Sequence, residues 1–176
     1  MPVIFGESAG SVDAIVRLLK KHGDDVRGTY RACYRFDRHS SDPYAAPSLD
    51  RPASLKENPP TAVYPWEQIF VAAAACAGSD YPMLAAHEGI PLERVELVVE
   101  GVFDPRGEFD GLDGLAAPAD ARHCFLALHL RAALISSAPR SALETIHARV
   151  LSNNMVLSAL RGIPQTSELV VMSAGA

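Results

Sequence analysis

The stretch Phe70-Val-Ala-Ala-Ala-Ala-Cys-Ala-Gly78 constrains the fold most, because it is a helix former with almost no side-chain bulk. Four consecutive alanines give high helix propensity. A helix with small residues nearly all round fits where other backbones approach closely. The segment opens at Pro65-Trp66, where a proline suits a first helical turn, and is expected to bend at Gly78 and stop at Gly89. It reads as the central helix of the fold. Its apolar run, Ile69 to Gly78, is about half of what a membrane span requires.

The flanking segments alternate as strands do. In Thr29 to Asp37, Tyr30, Ala32, Tyr34 and Phe36 point one way, and Arg31, Cys33, Arg35 and Asp37 the other. Val95, Leu97 and Val99 alternate with Glu96, Val98 and Glu100. His123 to Ile135 places Cys124, Leu126, Leu128, Leu130, Ala132 and Leu134 on one apolar face, and Glu168 to Met172 is a last short strand. Two further helices are expected. One runs from an N-cap at Ser11 to Lys20-Lys21-His22-Gly23, with Val12, Ile15, Val16 and Leu19 on one stripe. The other opens on the capping box Ser141-Ala-Leu-Glu144, with Leu143, Ile146, Val150 and Leu151 on one stripe. From Arg38 through Pro65 there are six prolines, which predicts a long loop that is either functional or crosses to a partner subunit. Segregated helices and strands of this kind indicate an α+β domain rather than a βαβ parallel sheet.

The 176 residues fit a single domain, residues 1–176, with 1–25 as an N-terminal helical extension. The formal charge of −5 and the lack of a basic block argue against a nucleic-acid partner. The N-terminus lacks the pattern of a signal peptide, and the chain is expected to be cytoplasmic, with neither membrane nor disulfide framework. No metal is expected: His123 and His129 sit roughly 20 Å apart along one strand, and the other histidines are scattered. No phosphate-binding glycine loop or nucleophile elbow is present, and no cofactor is expected.

The three cysteines therefore carry the chemical interest. Cys124, on an apolar strand face, reads as a small inert hydrophobe. Cys33 lies between Arg31 and Arg35, whose charges would favour its thiolate if the face were partly buried. Cys76 is either a buried structural thiol or a reactive one whose activating cation arrives through the fold.

Pro65-Trp-Glu-Gln-Ile-Phe-Val-Ala-Ala-Ala-Ala-Cys76 resembles the helix of the OsmC/Ohr family, the osmotically inducible and organic hydroperoxide resistance proteins. So do Ala85-Ala-His-Glu-Gly-Ile-Pro-Leu92, the strand ending at Gly101, and the passages Phe103-Asp-Pro-Arg-Gly107 and Phe109-Asp-Gly-Leu112. The resemblance implies an α+β fold in which antiparallel sheets wrap two central helices in an intertwined homodimer. It also implies reduction of small-molecule hydroperoxides at the subunit interface. By this likeness Cys76 is the peroxidatic cysteine, Glu67 the glutamate that positions an arginine, and Arg38, then Arg35, that arginine. Nine residues turn a straight helix by about 900°, so Glu67 and Cys76 would face opposite sides and could act together only through an intermediary or a bend. The family's second, resolving cysteine is replaced here by Asn154. Two functions follow: a one-cysteine peroxidase served by an external thiol reductant, or a non-catalytic protein that binds an apolar small molecule in its interface pocket.

Overall fold

A computed structural model describes residues 9–42, 44–50 and 66–174. Five strands form one sheet: β1 (Gly28–Asp37), β2 (Tyr44–Asp50), β3 (Leu92–Phe103), β4 (Phe125–Ser136) and β5 (Gln165–Ser173). Their order across the sheet is β2-β1-β3-β4-β5. The helices are α1 (Ala9–His22), α2 (Glu67–His87), α3 (Arg140–Asn153) and α4 (Met155–Ala159). Helix α2 lies on one face of the sheet, with α3 and α4 beside it.

Alternation in the strands decides which face meets α2. Tyr30, Ala32, Tyr34 and Phe36 of β1, Val95, Leu97 and Val99 of β3, and Leu128 to Leu134 at every second place in β4 are buried. They meet Phe70, Ala73, Ala74, Ala77 and Tyr81 of α2 and Leu143, Ile146 and Val150 of α3. The opposite face is a ladder of matched charges across neighbouring strands: Arg31 with Glu100, Arg35 with Glu96, Arg94 with Asp37 and Arg131 with Glu168. These partners stand side by side in the strand register. Opposite charges directly across a sheet stabilise the pairing, if modestly.

The small residues of α2 are used as close contacts. A Cβ on Gly78 would stand 2.1 Å from Tyr34 Cδ1, and one on Gly101 would stand 1.8 Å from Phe70 Cε1. An aromatic ring covers each glycine. Helix α2 continues through both Gly78 and Pro82. With Tyr34 filling the space of the missing side chain, the glycine closes the helix onto the sheet. By length and composition α2 could cross a membrane, contrary to the estimate from its apolar run. Its buried face against the sheet makes it a core helix here.

Several other expectations are corrected. The Pro-rich stretch after Arg38 contains strand β2, which pairs antiparallel with β1 through a register shift between Cys33 and Arg35. Strand β5 runs parallel to β4, so the sheet is mixed rather than antiparallel throughout, and its last unit is a βαβ crossover. The segment carrying α3 and α4 is long enough for that connection. Ser141 does not cap α3: the helix begins at Arg140 after Pro139, whose carbonyl accepts the Ala142 N–H, and Glu144 pairs with Arg140. Helix α1 begins at Ala9, two residues before the expected cap at Ser11. Residues 51–65 lie outside the described residues, so the remainder of the expected loop does too.

Candidate functional site

Cys76 sits half-buried in the middle of α2. Its Sγ accepts a hydrogen bond from Asn154 Nδ2 at 3.2 Å. The same Nδ2 donates to Asp80 Oδ2 at 2.8 Å. Asp80 lies one helical turn beyond Cys76, so the two side chains share a face. Asn154 is the N-cap of α4, and its Oδ1 accepts the Leu157 N–H at 2.9 Å. Its side chain is therefore held from three directions. Ser79 Oγ donates to the Cys76 carbonyl at 3.0 Å. Asn154 thus touches the sulfur itself.

Tyr81, the next residue on α2, is fully buried, and its hydroxyl shares a 2.7 Å hydrogen bond with His147 Nδ1 on α3. Burial pushes the Tyr81 hydroxyl well above its ordinary range, with the Asp80 carboxylate adding to the effect. Burial also lowers the titration of His147, which keeps its ring neutral at pH 7.

The other sequence-predicted residues lie apart. Glu67 is fully buried in the first turn of α2. Nine residues of helix separate it from Cys76, about 13 Å along the axis. Arg38 is exposed just beyond β1, with Nη1 3.7 Å from Glu93 Oε1, and Arg35 is exposed and paired with Glu96 at 3.6 Å. Among the described residues no guanidinium is hydrogen-bonded to the Cys76 sulfur, and none of their His, Cys, Asp and Glu side chains cluster as a metal site.

Burial pushes the other two thiols up. The Cys33 thiol is pushed up by burial and by Glu96, which outweigh Arg35, so Cys33 behaves as an ordinary strand residue rather than an activated thiol. Cys124 packs against the main core as expected of a small hydrophobe, but from outside β4. It precedes the strand with φ +61°, and burial together with Glu108 and Asp104 pushes its thiol up. A register shift at the start of β4 sets Phe125 opposite Phe103, so Phe125 rather than Leu126 meets the core.

A second buried polar group lies at the other end of β3. Asp104 has no exposed surface. It accepts from Arg106 Nη2 at 2.7 Å and Nε at 3.0 Å, from the Arg106 N–H at 3.1 Å, and from Arg27 Nε at 3.2 Å. Arg106 also pairs with Asp24 at 2.9 Å, and Arg27 with Asp120 at 3.0 Å. Burial alone would raise the Asp104 titration; hydrogen bonds from Arg106 and Arg27 outweigh it and hold the carboxyl below its usual range. This network joins the turn after α1 to the sheet.

The OsmC like protein from Mycoplasma pneumoniae superposes on this chain with a TM-score of 0.51 at 11% identity, over 80% of this chain and 95% of that one. This chain has the OsmC-like fold. An OsmC-like protein of unknown function from Vibrio cholerae also aligns, at TM-score 0.47 and 14% identity, over 80% of this chain and 98% of that one. An organic hydroperoxide resistance protein OsmC from Legionella pneumophila aligns at TM-score 0.46 and 18% identity, over 80% and 93%. No family model and no curated protein matches the sequence.

Of the groups around the sulfur of this OsmC-like chain, sequence reasoning missed Asp80. Its spacing from Cys76 was the available signal, since residues four apart on a helix are neighbours.

Proposed function

We propose that this OsmC-like chain reduces small organic hydroperoxides through Cys76 alone, as a cytoplasmic homodimer served by an external thiol. The supporting observation is the 3.2 Å hydrogen bond from Asn154 to Cys76 Sγ, which provides this thiol with an oriented donor. The Cys76 thiolate attacks an oxygen of the hydroperoxide. An S–O bond forms, the O–O bond breaks, and the alkoxide leaves and takes a proton from water. Sulfur is oxidised to the sulfenic acid as the hydroperoxide is reduced to the alcohol. One external thiol then condenses with the sulfenic acid and releases water. A second thiol displaces the mixed disulfide and regenerates Cys76. In this reading Glu67 and Arg38 act only as far as the second subunit completes the site.

One observation favours a non-catalytic protein that binds an apolar small molecule. The charge tied into the network at the sulfur is the Asp80 carboxylate, whereas reactive cysteines sit in electropositive surroundings. Intact mass after a brief, near-stoichiometric pulse of organic hydroperoxide, with a sulfenic-acid trap present, separates the two. Rapid adduct formation in the wild type and none in Cys76→Ser is the expected result. Equal, slow modification of both proteins would leave only the binding role.

A further inference from the structure

Asn154 is 2% exposed, and its contacts decide which way its amide faces. Oδ1 accepts from the Leu157 N–H, while Nδ2 donates to both Asp80 and Cys76 Sγ. A half-turn of the amide would set Oδ1 against a carboxylate oxygen and a sulfur, and would set Nδ2–H against the Leu157 N–H. Those contacts are repulsive, so the network itself assigns the orientation. The sulfur therefore meets a donor. A neutral thiol gains little from a donor, whereas hydrogen bonds to an ionised acceptor are roughly twice as strong as neutral ones. A carboxylate on the second N–H polarises the amide and pins it.

We propose that Asn154 is a catalytic residue of the Cys76 reaction, holding first the thiolate and then the sulfenate through Nδ2–H, and that Asp80 is a positioning residue acting through Asn154. The assignment rests on the one-cysteine reading above. Asn154 keeps both amide protons throughout: it neither gives a proton to the leaving alkoxide nor forms a bond to sulfur. Where a second cysteine would condense with the sulfenic acid, this amide has no thiol to offer. Position 154 thus preserves the oxidised sulfur until an external thiol reaches it.

The pH profile of Cys76 alkylation by iodoacetamide tests the assignment, read by peptide mass spectrometry to separate Cys76 from Cys33 and Cys124. No peroxide is involved, so the result is independent of whether Cys76 reduces one. Asn154→Ser retains a good N-cap for α4 but is too short to reach the sulfur. It is expected to alkylate about tenfold more slowly at neutral pH, the equivalent of one charge-assisted hydrogen bond, with its profile displaced to higher pH. Asn154→Asp keeps shape and cap while replacing the donor with a second carboxylate, and should be slower still. If Asn154→Ser fails to fold, Asn154→Asp carries the same comparison. Unchanged or faster alkylation in a folded variant overturns the role of Asn154. Asp80→Ala is then made in both backgrounds. Removing the anion should speed alkylation more in Asn154→Ser than in the wild type, where the pinned amide is lost as well; equal effects would remove Asp80 as a positioning residue. A hydroperoxide pulse on the same samples reports separately on the peroxidase reading.

Discussion

Two carboxylates, Asp104 fully buried and Asp80 half-buried, organise opposite ends of this molecule, and their partners differ in kind. Asp104 is enclosed by two guanidinium groups, with Asp24 and Asp120 closing the outer sides of those cations. Asp80 meets an amide whose other hydrogen is given to a thiol. The first network consists of ions in matched pairs; it is a strut between the turn after α1 and the sheet. The second is neutral on the donor side and ends on a nucleophilic atom. Burying a charge stabilises a fold only when partners surround it closely, and a site that keeps an atom available for chemistry gives up part of that closure.

The comparison is broken most directly at Arg106. Arg106→Ala leaves Asp104 fully buried with Arg27 as its remaining guanidinium, and breaking a buried pair in this way costs about 3 kcal/mol. Urea unfolding should show this as a lower midpoint with an unchanged slope. A cost below about 1 kcal/mol, the range of a surface ion pair, would mean that the network is solvated and holds nothing together.

Acid should separate the networks next. Asp104 titrates lower in the folded state than in the unfolded chain, so its stabilisation is complete above about pH 4 and is lost as pH falls through the folded value. His147 is also depressed on folding, by burial. The unfolded chain therefore takes up the proton first, and stability declines as pH falls below about 6.5. Denaturation midpoints followed from pH 8 downward should show two separate losses. His147→Gln should remove the upper one, and Arg106→Ala should flatten the lower one. A single transition in the wild type would contradict the separation.

How much of this was legible in the sequence depended on whether the interaction was local. Helix α2 and the inward faces of β1 and β3 were readable because periodicity and alanine content act within a few residues. Strand β2 was not, because Pro47 and the surrounding prolines resemble a loop and only pairing with β1 makes the segment extended. The capping box at Ser141 failed because Pro139 and Arg140 begin the helix earlier than its spacing implied. At the site, resemblance pointed to Asn154, but nothing near position 154 announces Asp80, which reaches it only through the packing of α4 against α2. The Asp104 network joins residues from Asp24 to Asp120 and left no local signature beyond the short Asp104-Pro-Arg106 passage.

A smaller effect is expected from Tyr81→Phe. It removes one neutral hydrogen bond, worth about 1 kcal/mol, while the ring keeps its place against His147 at 6.1 Å between centroids. Because His147 is half-buried, water can satisfy the vacated nitrogen, so the loss should stay near that figure in thermal or urea unfolding. A loss as large as that of Arg106→Ala would mean that the helix bearing Cys76 depends on its polar contacts as heavily as the far end of β3 does.

Asp80→Asn should cost least. The new side chain keeps an oxygen that can accept from Asn154 Nδ2, so the bond persists and only its charge assistance is lost. For a half-buried pair that difference is about 1 kcal/mol or less. The same substitution takes an anion away from the Cys76 side of the network, so a chain that barely changes in stability should change measurably in thiol chemistry, alkylating faster at neutral pH than the wild type. Arg106→Ala is expected to do the reverse: a large loss of stability with little change in Cys76 alkylation under conditions where the protein stays folded. Measuring both quantities in both variants therefore tests whether the closed network serves the fold and the open one serves the sulfur. Large stability losses in both would show that the open network is structural too. An unchanged Cys76 rate in Asp80→Asn would show that the carboxylate does not reach the sulfur electrostatically.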